Sequence, residues 1–140
     1  MDGRRHTDRA TIPITKDTDI VKARQLGREM AADAGCGTTD LTMVATAISE
    51  IARNMLTHAG GGDVDFELVD DRGRHALVIT ARDHGPGIED LDRALQDGYT
   101  TGDGLGLGLP GARRLMDDFT VTTDAKSGTT VVMRKWCAAD

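Results

Sequence analysis

The chain has 140 residues, a formal net charge of -6 at pH 7, and only two Phe, one Tyr and one Trp. This length favours a single domain with its own core. The acidic, aromatic-poor composition argues against nucleic-acid binding, because it supplies neither a basic stripe nor a stacking platform. No apolar segment resembles a signal peptide or reaches membrane-spanning length, so we expect a cytoplasmic protein with no membrane partner.

The two cysteines give a prediction about redox state. Cys36 and Cys137 lie far apart in the sequence and match no metal-ligand spacing. For a cytoplasmic protein we therefore expect both to be reduced thiols.

The first third of the chain predicts one strand and two helices. Residues 1–9 are polar and suit a flexible arm, whereas residues 10–15 are β-branched around a proline, as in an edge strand. Asp17 is placed to cap a first helix, which Gly35 ends. A second, longer helix is predicted from about Thr39 to His58, where three glycines follow.

Further along, the apolar period changes from that of helices to that of strands. Alternation over residues 64–69, a turn at 70–73 and a returning strand over 74–81 predict a hairpin. Later segments predict a short helix at 91–95, a helix at 109–117, and a final hairpin with strands at 119–123 and 129–136. This order predicts one α/β domain over residues 10–137, a two-layer sandwich with helices on one face of a mixed, mostly antiparallel sheet.

A glycine-rich stretch precedes the helix at 109–117. Residues 102–109 read GDGLGLGL, so glycine occupies every second position. Such glycines let the backbone bend sharply or approach a ligand closely, and the following helix start offers N–H groups to phosphate. A mobile surface loop has the same composition. The P-loop and Rossmann patterns are both absent, so a nucleotide site here would be of another kind.

Glu50 and Asn54 are four residues apart on the second predicted helix and therefore share one face, away from the centre of its apolar stripe. An ordinary solvated face explains an isolated pair of this kind. The functional interpretation makes Glu50 a general base and Asn54 an oxygen ligand for magnesium. Magnesium takes few protein oxygens when it also binds phosphates.

Asp83 directly follows strand residues and precedes Gly85 and Gly87. An Asx-type turn is the simpler interpretation. The functional interpretation places the carboxylate against an exocyclic amine, while the glycines let a flat base lie against the backbone. Because a carboxylate accepts hydrogen bonds, it would select the amino group of adenine over the carbonyl of guanine.

Taken together, these motifs resemble the GHKL (Bergerat-fold) ATPase/kinase superfamily. Its N box, G1 box, G2 box and closing Gly-Thr are similar, in this order, to Glu50-x-x-x-Asn54, Asp83-x-Gly85-x-Gly87, Gly102-x-Gly104-x-Gly106-Leu-Gly-Leu and Gly128-Thr129. Within the superfamily the chain resembles the small anti-sigma-factor kinases of bacteria, in particular the RsbT type of switch kinase. The narrower resemblance is carried by residues 49–54, 97–102 and 111–116.

The resemblance implies a sandwich of the left-handed βαβ type, with ATP between the helix layer and a short lid at about residues 95–105. It implies that Glu50 is the catalytic base that activates a substrate hydroxyl and that Asn54 binds Mg²⁺.

The remaining motif residues are implied to bind the nucleotide. Asp83 would bind the adenine amine, Gly85 and Gly87 would flank the base, and Thr129 would complete the adenine pocket. The phosphates would lie along the glycine loop, at Gly102, Gly104, Gly106, Leu107 and Gly108.

Family members phosphorylate a Ser or Thr of a small STAS-domain antagonist and then change partners. The RsbT type, once released, activates a PP2C-type phosphatase. The resemblance therefore predicts a serine/threonine protein kinase of a bacterial partner-switching stress response, such as a stressosome pathway, with ATP and Mg²⁺ as cofactors.

Two alternatives remain open from the sequence. One is an anti-sigma factor, a binding switch that sequesters a sigma factor. The other is a plain GHKL ATPase, which the short length disfavours. A homodimer is compatible with each of them.

Overall fold

The computed structural model of the chain describes residues 9–85, 109–124 and 128–137. The predicted helix at 91–95 and the implied lid at 95–105 lie outside these residues, as does nearly all of the predicted N-terminal arm. The elements follow in the order β1 (Arg9–Ile14), α1 (Asp17–Asp33), α2 (Thr38–Ala59), β2 (Gly62–Asp71), β3 (Arg74–Asp83), α3 (Leu109–Leu115), β4 (Asp118–Asp124) and β5 (Gly128–Cys137).

The described strands form one five-stranded sheet with the order β1-β2-β3-β5-β4. All four neighbouring pairs in it are antiparallel. β1, which contains Pro13, lies at one edge of the sheet, where a missing N–H is tolerated. The predicted α/β sandwich with a largely antiparallel sheet is confirmed.

The core lies between α1, α2 and one face of the sheet. Its largest fully buried side chains come from both layers: Phe66, Ile14, Ile48, Leu77, Ile79, Met133, Val44 and Val64. On α2, buried positions recur at helical spacing from Val44 to Met55, as the amphipathic pattern predicts. Across the described elements, no helix combines the length and the hydropathy needed to cross a membrane.

The junction between β1 and α1 is fixed by Asp19 rather than by the predicted cap Asp17. The residue at the N-cap position is Lys16, so the prediction for Asp17 is wrong. The Asp19 carboxylate oxygen Oδ2 accepts hydrogen bonds from the Thr15 backbone N–H (2.9 Å), the Thr15 hydroxyl (2.9 Å) and the Lys16 backbone N–H (3.2 Å). The bond from the Thr15 backbone contributes most to a lowered pKa of Asp19, because these bonds favour the charged carboxylate.

Asp19→Asn should lower the stability at neutral pH, and the difference from wild type should shrink in acid. The folded pKa lies below the ordinary value of 3.8. The carboxylate therefore stabilises the fold fully above the unfolded pKa, and this contribution is lost as pH falls through the folded pKa. Urea unfolding between pH 7 and pH 3 measures the effect.

The matched control for this experiment is Asp17→Asn. It removes the same charge from the same helical turn and leaves the three bonds to Asp19 in place. A stability loss in Asp19→Asn that stays constant down to pH 3 would contradict the role assigned to the charge.

The two cysteines are joined rather than reduced. Cys36 precedes α2, Cys137 ends β5, and the structure links them in a disulfide across 101 residues of sequence, with their Cα atoms 4.5 Å apart. The prediction of two reduced thiols is therefore wrong. The sequence spacing of the two cysteines does not show that the end of β5 lies beside the turn between α1 and α2 in the folded sheet. Both cysteines are buried.

Reduction of this disulfide should lower the free energy of unfolding by about 3–5 kcal/mol, because a cross-link that closes a loop of roughly 100 residues restricts the unfolded chain. Denaturant unfolding with and without a phosphine reductant measures this difference. The control is the Cys36→Ala/Cys137→Ala double variant, whose unfolding should not respond to the reductant. Two titratable thiols in the untreated, unfolded wild type would contradict the link.

Candidate nucleotide-binding site

Helix α2 carries Glu50 and Asn54 on one flank of its buried stripe. Ser49 and Ile51, beside Glu50, are both buried, whereas the Glu50 side chain keeps 41% of its surface exposed. Asn54 follows four residues later and is half-buried. The Glu50 carboxylate is therefore accessible to solvent, while Asn54 lies deeper against the fold.

The Asn54 amide lacks a partner for its NH₂ group. Its Nδ2 atom is buried and is the one buried side-chain N or O atom without a hydrogen-bond partner among the described residues. Leaving such a donor unsatisfied costs about 1–3 kcal/mol. A phosphate oxygen would satisfy it, and the carbonyl oxygen of the same amide is a ligand type that Mg²⁺ accepts. The residue fits a magnesium–phosphate group.

At the other end of the site, two backbone N–H groups hold Asp83. Its Oδ1 atom accepts hydrogen bonds from Gly85 N at 3.0 Å and from Thr129 N at 3.1 Å. Both bonds go to a charged acceptor, which makes them stronger than bonds between neutral groups. Main-chain N–H groups thereby orient the carboxylate, and Oδ2 accepts no hydrogen bond from the residues that the structure describes.

Gly85 contacts the end of α2. A Cβ atom at Gly85 would lie 2.5 Å from the Ala59 Cβ and 2.9 Å from the Ala59 Cα. The absent side chain therefore lets the turn after β3 pack directly on the last residue of the helix. The sequence indicated that a flat base needs this glycine, and the structure adds protein packing as a reason.

Gly128 is a site residue that the set predicted from the sequence left out. It adopts φ 91°, and a Cβ there would collide with the Asp83 carbonyl oxygen and lie 2.9 Å from Asp83 Oδ1. Only glycine combines this left-handed conformation with so close an approach. The sequence motif Gly128-Thr129 could have identified this residue. Next to it, the Thr129 hydroxyl lies 3.1 Å from that of Thr123.

These contacts place the candidate residues in a definite order along α2. Asp83 and Gly85 lie at the end of the helix, beside Ala59. With a rise of 1.5 Å per residue, Asn54 lies about 7–8 Å before Ala59 along the axis, and Glu50 about 13–14 Å before it. From the end of α2 towards its start, the order is therefore the Asp83 carboxylate, the Asn54 amide and the Glu50 carboxylate.

The glycine loop and part of the turn after β3 lie outside the described residues. This applies to six of the predicted ligand-binding residues: Gly87, Gly102, Gly104, Gly106, Leu107 and Gly108. Of the other five predicted site residues, Glu50 and Asn54 lie on α2, Asp83 and Thr129 lie at the ends of β3 and β5, and Gly85 lies in the turn after β3.

Comparison with known proteins identifies the domain. A family model described as the histidine kinase-like ATPase domain matches residues 13–135. The chain belongs to this family. The predicted GHKL membership is thereby confirmed.

Two curated relatives of this histidine kinase-like ATPase domain have informative names. The serine/threonine-protein kinase RsbT of Bacillus subtilis (strain 168) is 47% identical over 129 residues, which cover 92% of this chain and 97% of that protein. An anti-sigma F factor of Geobacillus stearothermophilus is 31% identical over 105 residues, 70% of each. Among solved structures, a nucleotide-free catalytic domain of the histidine kinase ThkA matches 90% of this chain and 95% of that chain, with 14% identity and a TM-score of 0.49.

In this histidine kinase-like ATPase domain, Gly128→Ala should be destabilising. A left-handed conformation costs an L-residue about 1–2 kcal/mol, and the overlap with the Asp83 carbonyl adds to that cost. Gly111→Ala, on α3, is the matched control: a Cβ there meets nothing within 4 Å, and alanine in a helix is favoured by up to about 1 kcal/mol. Thermal unfolding measures both variants, and equal melting temperatures would contradict the packing at Gly128.

Proposed function

We propose that this chain is an ATP-dependent serine/threonine protein kinase that phosphorylates a small STAS-domain antagonist in a bacterial partner-switching pathway. The single observation that supports it best is on α2: the half-exposed carboxylate of Glu50 lies one helical turn from Asn54, whose buried NH₂ group has no hydrogen-bond partner among the described residues. The RsbT relative, which is 47% identical to this chain, is named a serine/threonine-protein kinase, and this name supports the same class of reaction.

Asp83 binds the adenine in this proposal. Two main-chain N–H groups occupy Oδ1, so Oδ2 accepts a hydrogen bond from the exocyclic amine. The packing of Gly85 on Ala59 sets the depth of this pocket against α2. Guanine presents a carbonyl at the same edge, which a carboxylate cannot bind, so ATP is selected over GTP.

Asn54 holds the phosphate end. Its NH₂ group would donate to a phosphate oxygen, and its carbonyl oxygen would be the protein ligand for magnesium. When bound, Mg²⁺ supplies charge stabilisation and orientation for the transferred phosphoryl group. Because Nδ2 is buried, a phosphate oxygen that accepts its hydrogen bond would satisfy a donor that is unsatisfied in the free protein, and this favours binding.

Glu50 is the general base. It accepts the proton of the substrate Ser or Thr hydroxyl as that oxygen forms its bond to the γ-phosphorus, and ADP leaves with the electrons of the broken P–O bond. Its half-exposed position on α2 allows a folded protein to present the hydroxyl. A base so placed typically contributes about 10²–10⁴-fold to the rate.

Partner exchange follows from phosphorylation in this proposal. The antagonist loses affinity once it carries phosphate, and the released kinase activates a PP2C-type phosphatase. The second candidate is an anti-sigma factor that binds a sigma factor; it is favoured by the anti-sigma F factor relatives at 31–32% identity. In that case the same site would regulate sequestration of the sigma factor.

Glu50→Gln should bind ATP almost as wild type does but transfer phosphate about 10²–10⁴ times more slowly, because the amide cannot accept the proton. The measurement is radiolabel transfer from ATP to the STAS-domain antagonist that the wild-type chain retains in a pull-down, with ATP affinity measured on the same preparations. Glu29→Gln, an exposed glutamate on α1, is the control. Asn54→Ala should lose magnesium-dependent ATP binding as well.

The outcomes separate the assignments. If Glu50→Gln transfers phosphate at the wild-type rate, Glu50 is not the base. If the wild type transfers no phosphate to the antagonist yet retains a sigma factor in the presence of ATP, the anti-sigma function replaces the kinase function.

A further inference from the structure

Arg53 forms an ion pair with the proposed base. Its Nη1 atom lies 3.8 Å from Glu50 Oε2, and the two side chains are 57% and 41% exposed. We propose that Arg53 is a positioning residue for phosphoryl transfer, which holds the Glu50 carboxylate in the orientation that accepts the substrate proton. This inference rests on the proposed function, in which Glu50 is the base.

The helix places Arg53 and Asn54 on opposite flanks of Glu50. Successive residues of an α-helix are rotated by about 100°, so Arg53 lies roughly 60° to one side of Glu50 and Asn54 roughly 40° to the other. With phosphates at Asn54, the guanidinium is on the flank turned away from the nucleotide. It can therefore restrain the carboxylate without competing with Asn54 for the phosphates.

The ion pair engages one carboxylate oxygen and leaves the other for chemistry. The ion pair is formed with Oε2, and Oε1 accepts no hydrogen bond from the described residues. A half-exposed glutamate otherwise samples several rotamers, most of which would point the carboxylate away from an incoming hydroxyl. Holding Oε2 therefore raises the fraction of time in which Oε1 faces the substrate.

The same pair contributes little to the stability of the fold. Exposed ion pairs between residues three apart on a helix are weak, because water screens both charges. Removal of the guanidinium should thus leave the melting temperature nearly unchanged. A loss of activity in such a variant would report on the orientation of Glu50 and not on unfolding.

The experiment is a double-mutant cycle with Arg53→Ala, Glu50→Gln and the combined variant. Each variant is measured by steady-state phosphate transfer from ATP to the antagonist. Arg53→Ala should lower kcat about twofold, which is the change in the productive orientation of Glu50 that so weak an ion pair can produce, with an unchanged KM for ATP. Arg53→Lys keeps a cation within reach and should recover much of the rate. In the Glu50→Gln background, Arg53→Ala should have no further effect. Arg28→Ala, an exposed arginine on α1, is the control.

Three outcomes would overturn the inference, and they differ from one another. A wild-type rate for Arg53→Ala, with Glu50→Gln slow, removes the positioning role and leaves the base in place. An equal loss in both backgrounds means that Arg53 acts on the substrate itself and not through Glu50. A wild-type rate for Glu50→Gln contradicts the proposed base and the inference together.

Discussion

The site depends on how β3 and β5 separate at one end of the sheet. Their backbone pairing ends at Arg82 and Thr130, so the next position of β5, Thr129, needs another acceptor for its N–H. The Asp83 side chain supplies it, and the same oxygen also caps the turn at Gly85. One carboxylate therefore continues the strand pairing and shapes the turn that packs on α2, and it does both through a single oxygen. This arrangement requires glycine at 128, where the main chains approach too closely for a Cβ.

Much of the fold could be predicted because its longest elements have regular patterns. α2 shows a helical period over more than ten residues and is followed by Gly60, and the β2–β3 hairpin shows alternation at 64–69 and a turn that contains Gly73, so their positions follow from local chemistry. The start of α1 was misassigned, since Asp17 and Asp19 are equally plausible local acceptors. The path of the chain from β1 into α1 places Thr15 and Lys16 within hydrogen-bond distance of Asp19. The disulfide was missed for a similar reason: Cys36 and Cys137 meet only when the whole sheet is assembled.

The features of the candidate site also divide into those that the sequence predicts and those that depend on the assembled fold. The shared face of Glu50 and Asn54 follows from helical spacing alone, and the nature of Asp83 follows from its place between a strand and two glycines. Three features depend on residues distant in sequence and could not be predicted: the unpartnered NH₂ of Asn54, the contact of Gly85 with Ala59, and the collision that excludes a side chain at Gly128. The Glu50–Arg53 pair was within reach of the sequence, because residues three apart on a helix are neighbours.

The disulfide has a topological consequence for this site. Cys36 and Cys137 close a covalent ring, and every residue proposed to bind nucleotide or act as the base, from Glu50 to Thr129, lies within that ring. A protease that cuts the backbone once between the end of α2 and the start of β5 would open the ring but would not release a fragment. The two halves of the site would stay tethered, with the helix that bears the base on one piece and β5 on the other.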